Sequence, residues 1–119
     1  MNNFIRKYGK SNKFGAKKTV FMGFTFDSKW ESERYGQLSM LERIGEITDL
    51  QRQIPFELVI NGKKICKYVA DFTYKEKDKN GVEQLIVEDA KGIETATFRL
   101  KKKLMSAILN IDVKVVKKK

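Results

Sequence analysis

Apolar and polar positions follow two different periods along this chain. From Lys29 to about Arg43, Trp30, Leu38 and Leu41 recur as core anchors, and Glu31, Tyr35 and Leu38 share one face at i, i+4, i+7 spacing. Asp27-Ser28 supplies the N-cap of this predicted helix and Gly45 its stop. The spacing turns Glu31 inward at the first turn. Ser28-x-x-Glu31 is at the same time a capping box, so this glutamate has two readings. A second helical stretch runs from Ala96 to about Leu109, opened by Thr95 and ended by Asn110, with Phe98, Leu104, Met105 and Ile108 as its buried stripe.

Between and around the helices the period drops to two. Thr19 to Phe26 predicts a short strand pair or an extended segment, broken at Gly23. Ile47 to Ile60 is a strand region whose clean part is Phe56–Ile60; Pro55 makes it an edge strand or one that restarts after a break. Asn61-Gly62 is a two-residue hairpin signal, followed by a strand from about Lys64 to Tyr74. Lys77-Asp78-Lys79-Asn80-Gly81 marks the next turn, and the third strand spans about Val82 to Ala90. Ile111 to Val116 is a last short strand, with a basic tail behind it. The order is helix, three antiparallel strands, helix, strand, which predicts an α/β domain with a mixed sheet flanked by helices. No internal repeat or domain linker interrupts it.

Length and charge sharpen this picture. A chain of 119 residues, 41% hydrophobic, forms one domain with its own core, here residues 19–119. A net charge of +10 in a chain that is 34% charged points to an anionic partner, nucleic acid before an acidic membrane surface. Residues 1–18 carry Arg6, Lys7, Lys10, Lys13, Lys17 and Lys18 and no acid, and predict a flexible basic arm that neutralises phosphates. The chain has no histidine, which excludes His-dependent nucleases, Ser-His-Asp triads and His-bound zinc. A single cysteine, Cys66, excludes a disulfide framework and a Cys-cluster zinc site, and reads as a small hydrophobe within a strand. With no long apolar run and no secretory core segment, the expectation is a cytoplasmic protein without a membrane partner.

Candidate chemistry gathers at the second hairpin. A three-residue loop centred on Asn80, with Gly81 left-handed, sets Asp71 opposite Asp89. Directly opposed residues lie roughly 4.5–5.5 Å apart at Cβ. Period two brings Lys91 to the face of Asp89 and sends Glu88 to the other, which ranks Glu88 as a secondary candidate. Slipping the register by one residue would move Asp71 off that face. Taken singly, each is an ordinary strand-end charge. Together, two carboxylates this close need a cation or a shared proton, and Mg²⁺ (or Mn²⁺) held by Asp71 and Asp89, with Glu31 as a further ligand or as a group that acts on the water through a hydrogen bond, answers that need. Lys91 is then placed to hold a phosphate or an attacking water. Gln53 could reach the site from the start of its strand. Arg99, Lys101 and Lys102, just past the second helix's N-terminus at Thr95, form a cationic flank; with Lys17 and Lys18 they are the candidate nucleic-acid contacts.

These residues resemble the PD-(D/E)XK nuclease superfamily, the restriction-endonuclease-like fold, over nearly the whole chain after the basic arm. Its core order, α-β-β-β-α-β, is the order read above, and its motif stands here as Ala70-Asp71 and Asp89-Ala90-Lys91. The stretches Gly23–Glu31, Tyr68–Phe72 and Val87–Thr95, running on to Phe98 and Lys101, are similar to small phage and prophage endonuclease-like proteins. Ala70 stands where the superfamily's name has proline, and the second carboxylate is the shorter Asp89. The resemblance implies that Asp71, Asp89 and Glu31 bind metal and that Lys91 is catalytic. It further implies a Mg²⁺- or Mn²⁺-dependent DNA endonuclease, structure-selective on branched DNA in the manner of a Holliday-junction resolvase, acting as a homodimer in phage recombination or DNA processing. A non-catalytic DNA-binding or packaging accessory and a basic RNA-binding domain are the alternatives.

Overall fold

The structure is a computed structural model that describes residues 18–118. Most of the expected basic arm, Lys17 included, lies outside the described residues. Met22 and Gly23 both have positive φ, 53° and 81°, and fold β1 (Thr19–Phe21) back on β2 (Phe24–Phe26) as a two-stranded antiparallel sheet. Helix α1 (Lys29–Arg43) follows at once, its N-terminus capped by Ser28 Oγ, which accepts the Glu31 N–H at 3.0 Å.

A mixed four-stranded sheet comes next, in the order β3 (Thr48–Ile60), β4 (Lys63–Lys77), β5 (Glu83–Lys91), β6 (Lys114–Lys117). The first three strands are antiparallel; β6 pairs parallel to β5 after α2 (Ala96–Leu109) carries the chain across. Pro55, which cannot donate to a ladder, stands on β3 at the sheet edge, as expected of it. Asn61-Gly62 turns β3 into β4 with φ of 52° and 75°. The loop between β4 and β5 has the expected form: Gly81 N–H donates to Asp78 O, Asp78 N–H to Val82 O, and Gly81 has φ 79°. That loop fixes the register from Phe72↔Glu88 to Lys77↔Glu83. The last strand starts later than the pattern predicts, at Lys114, because Ile111 and Val113 are spent packing into the core below α2.

Two cores flank the sheet. On the α1 side lie Phe26, Leu38, Ile47, Phe72, Tyr74 and Ala90. On the α2 side lie Leu58, Tyr68, Ala70, Val87, Phe98, Met105 and Val113. On β5 alternation is plain, with Ile86 and Ala90 on one side and Val87 on the other. On β4 it is not: Tyr68 and Ala70 serve the α2 core while Phe72 and Tyr74 serve the α1 core. On β3, Leu50 belongs with the α1 core and Phe56 and Leu58 with the α2 core. Both strands change sides at the level of Gln53 and Asp71, and there Gln53 takes a φ of 52°. A left-handed non-glycine residue inside a strand costs about 1–3 kcal/mol, and such strain concentrates at functional sites. Among the described residues no helix is long and apolar enough to cross a membrane.

Candidate functional site

The site forms where β4 and β5 part. Their ladder ends at Phe72↔Glu88. One step further, side chains replace main chain: Asp71 N–H donates to Asp89 Oδ1 at 2.8 Å, and Ala90 N–H donates to Asp71 Oδ2 at 3.0 Å. The two aspartates thus face each other across a fork, each carboxylate satisfied by the opposite strand. Asp89 is 1% exposed. Its Oδ2 accepts the Tyr68 hydroxyl at 2.5 Å and lies 3.6 Å from Lys91 Nζ. Lys91 sits in turn 4.4 Å from the Phe98 ring centroid, so α2 steers the ammonium toward the carboxylates.

Glu31 enters from the first turn of α1 and is 3% exposed. Its main-chain N–H serves the cap, while its carboxylate goes elsewhere. Gln53 Nε2 donates to Glu31 Oε2 at 3.1 Å, and Arg52 Nη2 lies 4.0 Å from the same oxygen. Arg52 itself is clamped over the Phe26 ring at 4.1 Å, with Phe24 and Tyr35 beside it, and its Nη2 donates to Thr25 O at 3.1 Å. Among the described residues its buried Nε has no partner. Thr25, Asp27, Glu31, Arg52 and Gln53 together line a cleft of about 210 Å³.

Crowding these acids has an electrostatic consequence. Burial, then Asp89, then Glu31 push the Asp71 carboxyl up to about 8, against relief from the Ala90 N–H and Lys91. Burial and then Asp27 raise Glu31 above its ordinary value, with Arg52 pulling the other way. Burial and the bond to Asp89 hold the Tyr68 hydroxyl far above its ordinary range, so it stays a donor.

The structure brings Asp71, Asp89, Lys91, Glu31 and Gln53 to one region. Glu88 it sends to the opposite face. There, fully buried, Glu88 is gripped by Arg34 at 2.6 and 3.0 Å and by the Tyr74 hydroxyl at 2.6 Å. This is a structural pair that ties α1 to β5, and it has no contact with the site. Thr95 caps α2, its Oγ1 accepting the Phe98 N–H at 3.1 Å. Lys101 turns to the Lys67 carbonyl at 2.8 Å, away from the cleft between α2 and β6 that Arg99 and Lys102 line. Lys18 lies 3.6 Å from Asp27. The sequence marks Tyr68 only as the start of the Tyr68–Phe72 stretch, with no role at the site, and does not single out Arg52. Strand alternation separates Tyr68 from Asp71, and only the change of sides on β4 lets both reach Asp89.

An oxygen-only donor set suits a hard cation such as Mg²⁺, which binds through one or two carboxylates with water and substrate oxygens. Among the described residues no group of three His, Cys, Asp or Glu side chains is arranged to hold a metal ion. Asp71 and Asp89 are the carboxylates that the fork brings together.

Fold and site define a basic α/β domain with a charged fork at the end of its central strand pair. The chain belongs to the family described as protein of unknown function (DUF1064), whose model matches residues 11–118. No curated protein and no solved structure matches it.

Proposed function

We propose that this protein is a metal-dependent DNA endonuclease with a restriction-endonuclease-like core. One observation carries the reading: a buried aspartate, Asp89, and a half-buried one, Asp71, face each other at the fork of β4 and β5, with a lysine amine 3.6 Å from Asp89. Crowding two carboxylates beside a single ammonium is costly, and groups so perturbed cluster at functional sites. The element order α1-β3-β4-β5-α2-β6 and the net charge of +10 support the same reading.

Asp71 and Asp89 are the residues to hold a divalent ion. The chemistry a divalent ion would supply there is polarisation of a phosphate and a lowered pKa for a bound water. Tyr68 and the Asp71 N–H keep Asp89 in one orientation. Lys91 offers its ammonium to a phosphate oxygen as charge builds on it. Glu31, whose proton affinity is raised by burial, is suited to accept the proton of an attacking water. Gln53 and Arg52 hold Glu31 in place. Branched DNA is the favoured substrate and a homodimer the favoured working unit, since two strands are then cut.

Incubation with linear, circular and branched DNAs, with and without Mn²⁺, tests this reading. Cation-dependent nicking that Asp89→Ala abolishes is the expected outcome. Equal DNA binding with and without metal, and no nicking of any substrate, would leave a DNA-binding accessory instead.

A further inference from the structure

The face of the sheet that carries Asp89 and Lys91 continues onto β6. In the parallel ladder Val115 lies beside Asp89, and Lys117 beside Lys91. Adjacent strands are about 4.8 Å apart. Helix α2 roofs this face, and between α2 and β6 runs a cleft of about 600 Å³ with Val113 and Val115 on its apolar side and Arg99, Lys102 and Lys103 along it. Glu94 lines it too. Lys117 Nζ holds Glu94 Oε2 at 2.9 Å, and Arg99 Nη1 donates to the Glu94 carbonyl at 2.8 Å. Lys117 foremost, with Arg99 and Lys102 behind it, keeps the Glu94 carboxyl below its ordinary range. Exposed ion pairs are ordinarily worth little. This one differs in its place: the Glu94 carboxylate is held by Lys117, with Arg99 and Lys102 beside it, and Lys117 lies one strand over from Lys91.

We propose that the cleft between α2 and β6 binds the backbone phosphate next to the scissile one, and that Glu94 occupies that phosphate's place until a DNA strand arrives. This rests on the nuclease reading and extends it to how the strand is tracked. Phosphates of one strand rise about 3.4 Å per nucleotide along the duplex axis, so Lys117 lies within about one or two nucleotides of Lys91. The incoming phosphate displaces the Glu94 carboxylate and takes over Lys117, with Arg99 and Lys102 beside it. Glu94 therefore tempers affinity, which favours release after cutting.

The test is fluorescence anisotropy of a labelled DNA duplex over a salt series, without divalent metal, for wild type, Glu94→Gln, Lys117→Ala and Arg99→Ala. Thermal melts confirm that each variant is folded. Neutralising Glu94 is expected to steepen the dependence of log affinity on log salt by about one unit, and loss of either cation to flatten it by about one. One unit is a change of about 4-fold in the affinity ratio between 50 and 200 mM salt. If wild type binds and nicks DNA while Glu94→Gln or Lys117→Ala leaves the slope unchanged, the cleft is not a phosphate site and the nuclease reading stands. If wild type neither binds nor nicks DNA, both fall.

Discussion

Replacing Asp71 by Asn isolates what it costs to hold these carboxylates together. In the folded protein Asp71 keeps its proton up to about 8, because of burial first and then the charges of Asp89 and Glu31. In an unfolded chain an aspartate ionises near 3.9. Between those values the folded state binds a proton that the unfolded state has lost. The stability contributed is therefore fully present below about pH 4 and declines as pH rises toward 8. One proton corresponds to at most about 1.4 kcal/mol per pH unit. Short of that limit, the loss between pH 5 and 7 is on the order of 1–2 kcal/mol. In a domain of this size that is a melting temperature lower by about 4–6 °C. The Asp71→Asn variant keeps an amide oxygen for the Ala90 N–H, now 3.0 Å from Asp71 Oδ2, and no longer titrates. Thermal melts of both proteins in metal-free buffer, from pH 5 to 8, make the comparison. Wild type is expected to lose stability across that window relative to the variant. Mg²⁺ at ten times its dissociation constant adds about 1.4 kcal/mol to wild type and leaves the variant unmoved. Parallel pH profiles for the two proteins would refute the claim that Asp71 is held against its charge.

Tyr68→Phe removes the 2.5 Å hydrogen bond to Asp89 and is expected to cost about 1.5–3 kcal/mol, read by urea unfolding, together with a fall in nicking rate. Glu88→Ala leaves Arg34 without its buried partner; a loss of about 3–5 kcal/mol is expected, while nicking per folded molecule stays near wild type because the pair lies on the far face. Gln53→Ala is expected to lower nicking with a stability change within about 1 kcal/mol, since it frees the Glu31 carboxylate and leaves the main chain as it was.

Local signals made most of the fold legible. Ser28 and Gly45 bound α1, Thr95 and Asn110 bound α2, and the Asn80-Gly81 loop set the register that brings Asp71 level with Asp89. Pro55 put β3 at an edge. The site was legible as far as short range reaches: Asp71, Asp89 and Lys91 from one hairpin, and Glu31 from helix spacing. What stayed hidden depends on tertiary packing. Nothing local tells that β3 and β4 change sides at Gln53, and that change is what lets Tyr68 touch Asp89. Arg52 reads as one more surface cation until the β1–β2 hairpin folds its aromatic rings around it. Glu88 and Asp89 are adjacent acids of equal promise by composition. Alternation sends one to a guanidinium and the other to the fork, and only Arg34, 54 positions away from Glu88, explains why the first is buried at all.

The central claim is that Asp71, Asp89 and Lys91 form a centre for cutting a phosphodiester, and Lys91→Ala tests it most directly. Nicking of a branched DNA in Mn²⁺ and binding of the same DNA should be measured side by side for wild type and variant. Binding close to wild type with nicking abolished is the expected result. Nicking by Lys91→Ala at the wild-type rate, or none by the folded wild type in any divalent metal, would contradict the account.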